Sequence, residues 1–152
     1  SNPDVNMVSA PIIAKDRGID ISTTTQDKTG VFDGYIRLVV VTDERTRSIA
    51  GTVFSDGKPR FIQIKGINID AEIGANMLYT TNRDVPGVIG TLGRILGEHG
   101  VNIANFTLGR SARDGDAIAM LYLDEAPAPA ALAALRETGV FQQVRALHFD
   151  AV

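Results

Sequence analysis

Between Met77 and Phe149 the apolar residues change period four times, and that sequence of changes leaves few folds open. Met77–Thr81 reads as a strand, and Pro86–His99 carries apolar residues at helical spacing. Val101–Leu108 and Ala117–Leu123 read as strands, Ala128–Thr138 as a helix and Val140–Phe149 as a last strand. The order is βαββαβ.

A chain with that order closes most simply as the split βαβ, ferredoxin-like arrangement, with both helices on one face of a four-stranded antiparallel sheet. In the first helix Val88, Ile89, Leu92, Ile95 and Leu96 form one stripe and predict the core face, while Gly90, Gly93 and Gly97 lie on the other side. Each interior glycine costs a helix about 1 kcal/mol relative to alanine. Three of them therefore mark either a face approached closely by another backbone or a tolerated surface. The strand from Val101 shifts phase between Ile103 and Ala104, which predicts a bulge there. Pro127 and Pro129 are compatible with a linker, but Leu132, Leu135 and Gly139 favour a helix start.

The first half reads as one helical stretch and a meander. Pro3–Arg17 has apolar residues at Val5, Val8, Ile12 and Ile13 and a stop signal at Gly18, with Pro11 either interrupting one helix or opening a second. Tyr35–Val41, Ile49–Phe54, Phe61–Ile64 and Ile67–Ile73 follow as strands, with turns expected at Asp43–Thr46, Ser55–Pro59 and Lys65-Gly66. The whole is an α+β chain: an antiparallel sheet with a helix over residues 1–74, then the ferredoxin-like unit over 75–152. One helix covers little of a meander, and Ser1-Asn2-Pro3-Asp4 has neither the charged nor the apolar block of a signal peptide. The first half is accordingly expected to be truncated, the cut end of a longer chain.

Composition removes several classes of function. With 15 Lys+Arg against 18 Asp+Glu the net charge is -3, and neither half carries a basic excess, so nucleic acid is not the expected partner. The absence of cysteine removes disulfides, thiol nucleophiles and thiolate metal sites, and fits a cytoplasmic protein. The longest apolar runs, such as Ala117–Leu123, are far short of the roughly 20 residues of a membrane-spanning helix. His99 and His148 stand alone without ligand spacing, and no nucleophile elbow, phosphate loop or dinucleotide fingerprint occurs. No catalytic residue and no metal site is expected.

One constellation carries chemistry. Asn82-Arg83-Asp84-Val85-Pro86-Gly87 joins the first strand of the second half to its helix, and Asn102 opens the next strand. Asp84 two residues before Pro86 suits an N-cap. It equally suits an amino-acid site, in which a helix N-terminus meets the ligand carboxylate while an aspartate takes its ammonium. Asn82 and Asn102 are either turn and strand-edge residues or amides that complete such a shell. In the first half Lys58, Arg60 and Lys65 fall on one hairpin, as a possible anion site or as a charged edge that discourages strand pairing.

The run Asn82–Gly90 followed by Gly100-Val101-Asn102-Ile103-Ala104 resembles the ACT domain, a small-molecule regulatory module, and specifically that of the D-3-phosphoglycerate dehydrogenase family. Asn6–Pro11, Ala14–Gly18, Gly51–Phe54 and Ile67–Asp70 resemble the intervening domain of that family's long forms. The resemblance implies the regulatory part of an NAD-dependent enzyme opening serine biosynthesis, separated from its nucleotide and substrate domains. It implies L-serine as the effector, bound between two ACT domains of a homodimer within a larger homo-oligomer. The matching positions are Asn82, Asp84 and the Pro86, Gly87, Val88 and Ile89 backbone of one chain, with Asn102 of its neighbour. NAD would belong to the full-length parent and no cofactor to this stretch. Two alternatives stay open: a regulatory tail of another amino-acid enzyme, such as a serine dehydratase, and an oligomerisation module without ligand.

Overall fold

The computed structural model describes residues 5–25, 34–112 and 115–149, and the chain divides between residues 30 and 31 into two units. In the first unit the helix α1 (Ala10–Asp16) is shorter than the predicted Pro3–Arg17, whose first residues lie outside the described ones. Asn6 sets the limit: its side-chain oxygen accepts hydrogen bonds from the Val8 and Ser9 amides, both 2.9 Å, and holds a turn where helix was expected. Pro11 then sits in the first turn, where a missing N–H costs nothing. At the other end Gly18 takes a φ of 70°, and the Ile19 and Gly18 amides reach back to Ala14 O (2.9 Å) and Lys15 O (3.0 Å). That double bond is the Schellman stop.

The second unit contains two four-stranded antiparallel sheets. The first runs in the simple meander order β1 (Ile36–Val41), β2 (Thr46–Val53), β3 (Pro59–Ile64), β4 (Ile67–Glu72). Thr46 and Pro59, placed in turns by the sequence reading, are strand residues; the turns close more tightly, through Thr42 N to Arg45 O and Gly57 N to Phe54 O. Lys65 and Gly66 both have positive φ, 51° and 78°, as a two-residue hairpin of the right twist requires.

The second sheet is built from β5 (Asn76–Arg83), β6 (Ile103–Arg110), β7 (Asp116–Leu123) and β8 (Phe141–His148) in the order β6-β7-β5-β8, with helices α2 (Val88–Glu98) and α3 (Pro129–Glu137) between strands. This is the expected βαββαβ plan. Alternate residues divide its two faces. Leu78, Ala119, Leu121 and Val144 pack under Leu92, Ile95, Leu96 and Leu135 of the helices, whereas Met77, Ile118 and Met120 pack against Ile64, Ile67, Ile69 and Ala71 of the first sheet. Burial on both faces explains why β7 reads as a continuous apolar run rather than an alternation.

The bulge falls where expected: Ile103 faces Leu123 and Asn105 faces Tyr122, so Ala104 is the extra residue. In α2 the residues Val88, Leu92, Ile95 and Leu96 are buried as predicted, but Ile89 is 54% exposed and leaves the core stripe. Gly90, Gly93 and Gly97 have open space where side chains would stand. Pro129 opens α3, so the Ala-rich stretch is a helix and not a linker. Among the described residues no helix is long and apolar enough to cross a membrane.

Candidate functional site

Between the N-terminal turn of α2 and strands β5, β7 and β6 of its sheet lies a groove of ≈ 60 Å³. Its floor comes from strand positions that all face the helices: Asn82 on β5, Ala117 and Ala119 on β7, and Phe106 and Leu108 on β6. Asp84, Val85, Val88, Ile89 and Leu92 form the wall. The groove is small, so only a small ligand fits without opening the rim.

Asn82, Asp84, Val88 and Ile89 thus come together as predicted, although two of them sit differently from expectation. Asn82 is a strand residue, only 4% exposed, because β5 runs on through the stretch read as a loop and pairs Asn82 with Ala117. Its amide nitrogen donates to Arg83 O at 2.6 Å, which leaves the carbonyl end for the groove. Asp84 is not an N-cap. The helix begins later, at Val88, with Gly87 at the cap position in a left-handed conformation, φ 89°, that a side chain would strain. Pro86 contributes no N–H and turns the chain so that the first helical amides, Val88, Ile89 and Gly90, precede the first internal bond, Thr91 N to Gly87 O at 2.9 Å.

Asp84 is instead held by two interactions. Its amide donates to Gly115 O at 2.9 Å, and its Oδ2 accepts from Arg110 Nη1 at 3.3 Å. Arg110 was missed by sequence reasoning. The signal was available in the period: Phe106, Leu108 and Arg110 continue one face of β6 past the bulge and end in a charge.

Asn102 lies elsewhere. It stands at the end of β6 that faces Leu123, whereas Asn82 faces Ala117, six residues or about 20 Å away along β7. Its Nδ2 donates to Asp124 Oδ2 at 2.5 Å. One chain cannot bring Asn82 and Asn102 to the same small ligand.

Lys58, Arg60 and Lys65 are not gathered either. Lys58 and Lys65 flank opposite ends of β3. Lys58 Nζ pairs with Glu72 at 2.7 Å, which holds its pKa above the usual lysine range. Arg60 pairs with Asp56 (2.8 Å) and Asp70 (3.3 Å) and stacks 4.6 Å from the Phe54 ring centroid; the Lys58 amide and then Arg60 hold the Asp56 pKa below its ordinary value. These carboxylates already neutralise the charges an anion would seek. Lys65 donates to Gln143 Oε1 at 2.9 Å, and burial and the nearby Arg47 hold its pKa below the ordinary value.

His99 closes α2, its Nδ1 donating to Ile95 O at 2.8 Å, as a helix-end residue would. Among the described residues no three His, Asp or Glu side chains are grouped to hold a metal ion. A larger and more open hollow of ≈ 720 Å³, lined by Tyr35, Arg37, Phe54, Asn68, Asp70 and Leu108, lies over the first sheet.

Two family models match the chain. Residues 1–65 match the family model of the D-3-phosphoglycerate dehydrogenase intervening domain, and residues 77–140 match that of the ACT domain. D-3-phosphoglycerate dehydrogenase of Bacillus subtilis is 37% identical over 120 residues, 79% of this chain and 23% of that protein. The enzymes of that name from Synechocystis and Methanocaldococcus jannaschii are 37% and 32% identical over 121 and 122 residues, each alignment covering 22% of the relative. The chain spans less than a quarter of the length of these curated relatives.

Proposed function

Because this chain belongs to the D-3-phosphoglycerate dehydrogenase family, with the family's intervening domain followed by an ACT domain, we propose that it is the serine-sensing region of such an enzyme. Residues 1–74 form part of the intervening domain and residues 75–152 the ACT domain. L-serine is the effector, and the full-length parent is the NAD-dependent, cytoplasmic oxidoreductase that it restrains. The observation that carries the reading is the groove in which Asp84 and the first amides of α2 converge. Asp84 accepts the ligand ammonium, the α2 N-terminus receives negative charge, and the Asn82 carbonyl accepts from the serine hydroxyl.

Asn102 enters from a second chain. Its distance from Asn82 within one chain means that a shell using both must be built by a homodimer through the ACT domains. A ligand shared by two chains favours the arrangement that brings them together, and that preference is what can act on catalytic domains elsewhere in the parent. The open glycine face of α2, at Gly90, Gly93 and Gly97, offers the close approach such a pairing needs.

Calorimetric titration of L-serine into the chain, with glycine and L-alanine as controls, tests the proposal. Asp84→Ala removes a charge-assisted hydrogen bond and should cost about 1.5–3 kcal/mol, or about ten- to hundredfold in affinity. Full-length enzyme carrying Asp84→Ala and still inhibited at an unchanged serine concentration would refute it. A second reading, an ACT pair that only oligomerises, draws on the partners already present: Arg110 for Asp84 and Asp124 for Asn102. A dimer by light scattering that gives no heat with serine is the signature of that reading.

A further inference from the structure

The Asp84–Arg110 ion pair spans the open side of the groove. Arg110 lies on the outermost strand β6, opposite Ala117 of β7, and reaches across that strand to Asp84 at the end of β5. Ala117 has only a methyl group, so the arginine stem crosses unhindered. Phe106 and Leu108, four and two residues before it on the same face, form the apolar edge beneath. The Arg110 side chain is 66% exposed and the Asp84 side chain 30%. The carboxylate is therefore seated in the groove, while the guanidinium swings over its mouth.

We propose that Arg110 is a ligand-holding residue of this site: it receives the carboxylate of a small zwitterionic amino acid whose ammonium is held by Asp84. The proposal rests on the reading of the groove as an amino-acid site. In an α-amino acid a single carbon separates ammonium from carboxylate. A ligand whose ammonium rests on Asp84 must place its carboxylate beside the same rim, where the guanidinium already stands 3.3 Å from the aspartate. The existing contact uses Nη1, and a guanidinium has five N–H donors in a planar fork. The remaining donors can take a carboxylate oxygen while the second oxygen faces the amides of α2.

The pair also selects. A zwitterion inserts between Asp84 and Arg110 and satisfies both charges at once. A cation leaves Arg110 displaced from its partner, and an anion leaves Asp84 with a like charge beside it. The site therefore discriminates by the presence of both charges, and the limited volume then favours small side chains.

The test compares Arg110→Gln and Arg110→Lys with the unaltered chain, using L-serine, serinol, in which the carboxylate is replaced by a hydroxymethyl group, and 3-hydroxypropanoate, which lacks the ammonium. Arg110 is largely exposed, so both variants should fold, which circular dichroism checks. L-Serine affinity should fall about ten- to hundredfold in Arg110→Gln and by less in Arg110→Lys, which keeps the charge and loses the fork. Serinol should bind the unaltered chain weakly and be indifferent to Arg110→Gln, so the serine-to-serinol preference collapses. Unchanged or tighter serine binding in Arg110→Gln, with Asp84→Ala still abolishing it, would overturn the role of Arg110 and leave the amino-acid site standing. Tighter binding would identify Arg110 as a competitor for Asp84. No serine binding to the unaltered chain would overturn both.

Discussion

Gly109 and Gly93 should respond with opposite sign to the same substitution by alanine. Gly109 lies on β6 where β4 crosses it, and a methyl group there would stand 2.6 Å from Asn68 O and 2.9 Å from Ile67 Cγ2. The first contact is to backbone, so the sheets must part to admit it. Overpacking of this kind costs about 1–3 kcal/mol. Replacing glycine in a strand interior returns about 0.5–1 kcal/mol of backbone entropy, so Gly109→Ala should destabilise by a net of about 0.5–2 kcal/mol. Gly93 on the outer face of α2 meets nothing within 4 Å in its own chain, so in dilute, monomeric protein Gly93→Ala should stabilise by about 1 kcal/mol, while in the proposed dimer it would obstruct the partner's approach. Urea unfolding followed by circular dichroism reads both as shifts of the midpoint at unchanged slope. If Gly109→Ala stabilised as much as Gly93→Ala, the first sheet would not pack on β6 as described.

Two further expectations concern the junction of the two sheets. Burial pushes the Tyr79 hydroxyl up to about 12, and that hydroxyl has no hydrogen-bond partner among the described residues. A folded-state pKa raised above 10.0 contributes stability that is complete below pH 10 and lost as pH rises through about 12. Tyr79→Phe should therefore be neutral or slightly stabilising at pH 7 and should lack that component of alkaline unfolding; an unaltered alkaline profile would contradict the assignment. Lys65→Asn should stabilise by about 0.5–1 kcal/mol, because a lysine at φ 51° carries left-handed strain that asparagine tolerates and its ammonium is held partly out of water. Thermal melts of the two proteins measure it, and a lower melting temperature would show that the bond to Gln143 outweighs the strain.

What could be read from the sequence was the order of the periods. The second sheet, both of its helices and the Ala104 bulge follow from apolar spacing and from Gly139, whose positive φ closes α3. Ile89 departed from its stripe because helical spacing fixes an angular position but not where the covered face ends: beyond Val88 the sheet gives way to the groove. The start of α1 was misjudged because Asn6 offers its side chain to the backbone, a local competition invisible to hydropathy. At the site, Asp84 and the α2 N-terminus were legible from the D-x-P-G spacing, whereas Arg110, although its face of β6 could be read from the period, is joined to Asp84, 26 residues away, by strand order alone. Lys58 and Lys65 were grouped by sequence proximity and separated by the extended strand between them.

The most direct test of the account follows each backbone amide by NMR while L-serine is added to the ¹⁵N-labelled chain. Serine sensing at this groove predicts saturable shifts concentrated at Asp84, Val88, Ile89 and Gly90, absent with Asp84→Ala, and accompanied by shifts at Asn102 on the facing chain of the dimer. Saturable shifts centred on another surface, or none at all in a folded dimer, would contradict it.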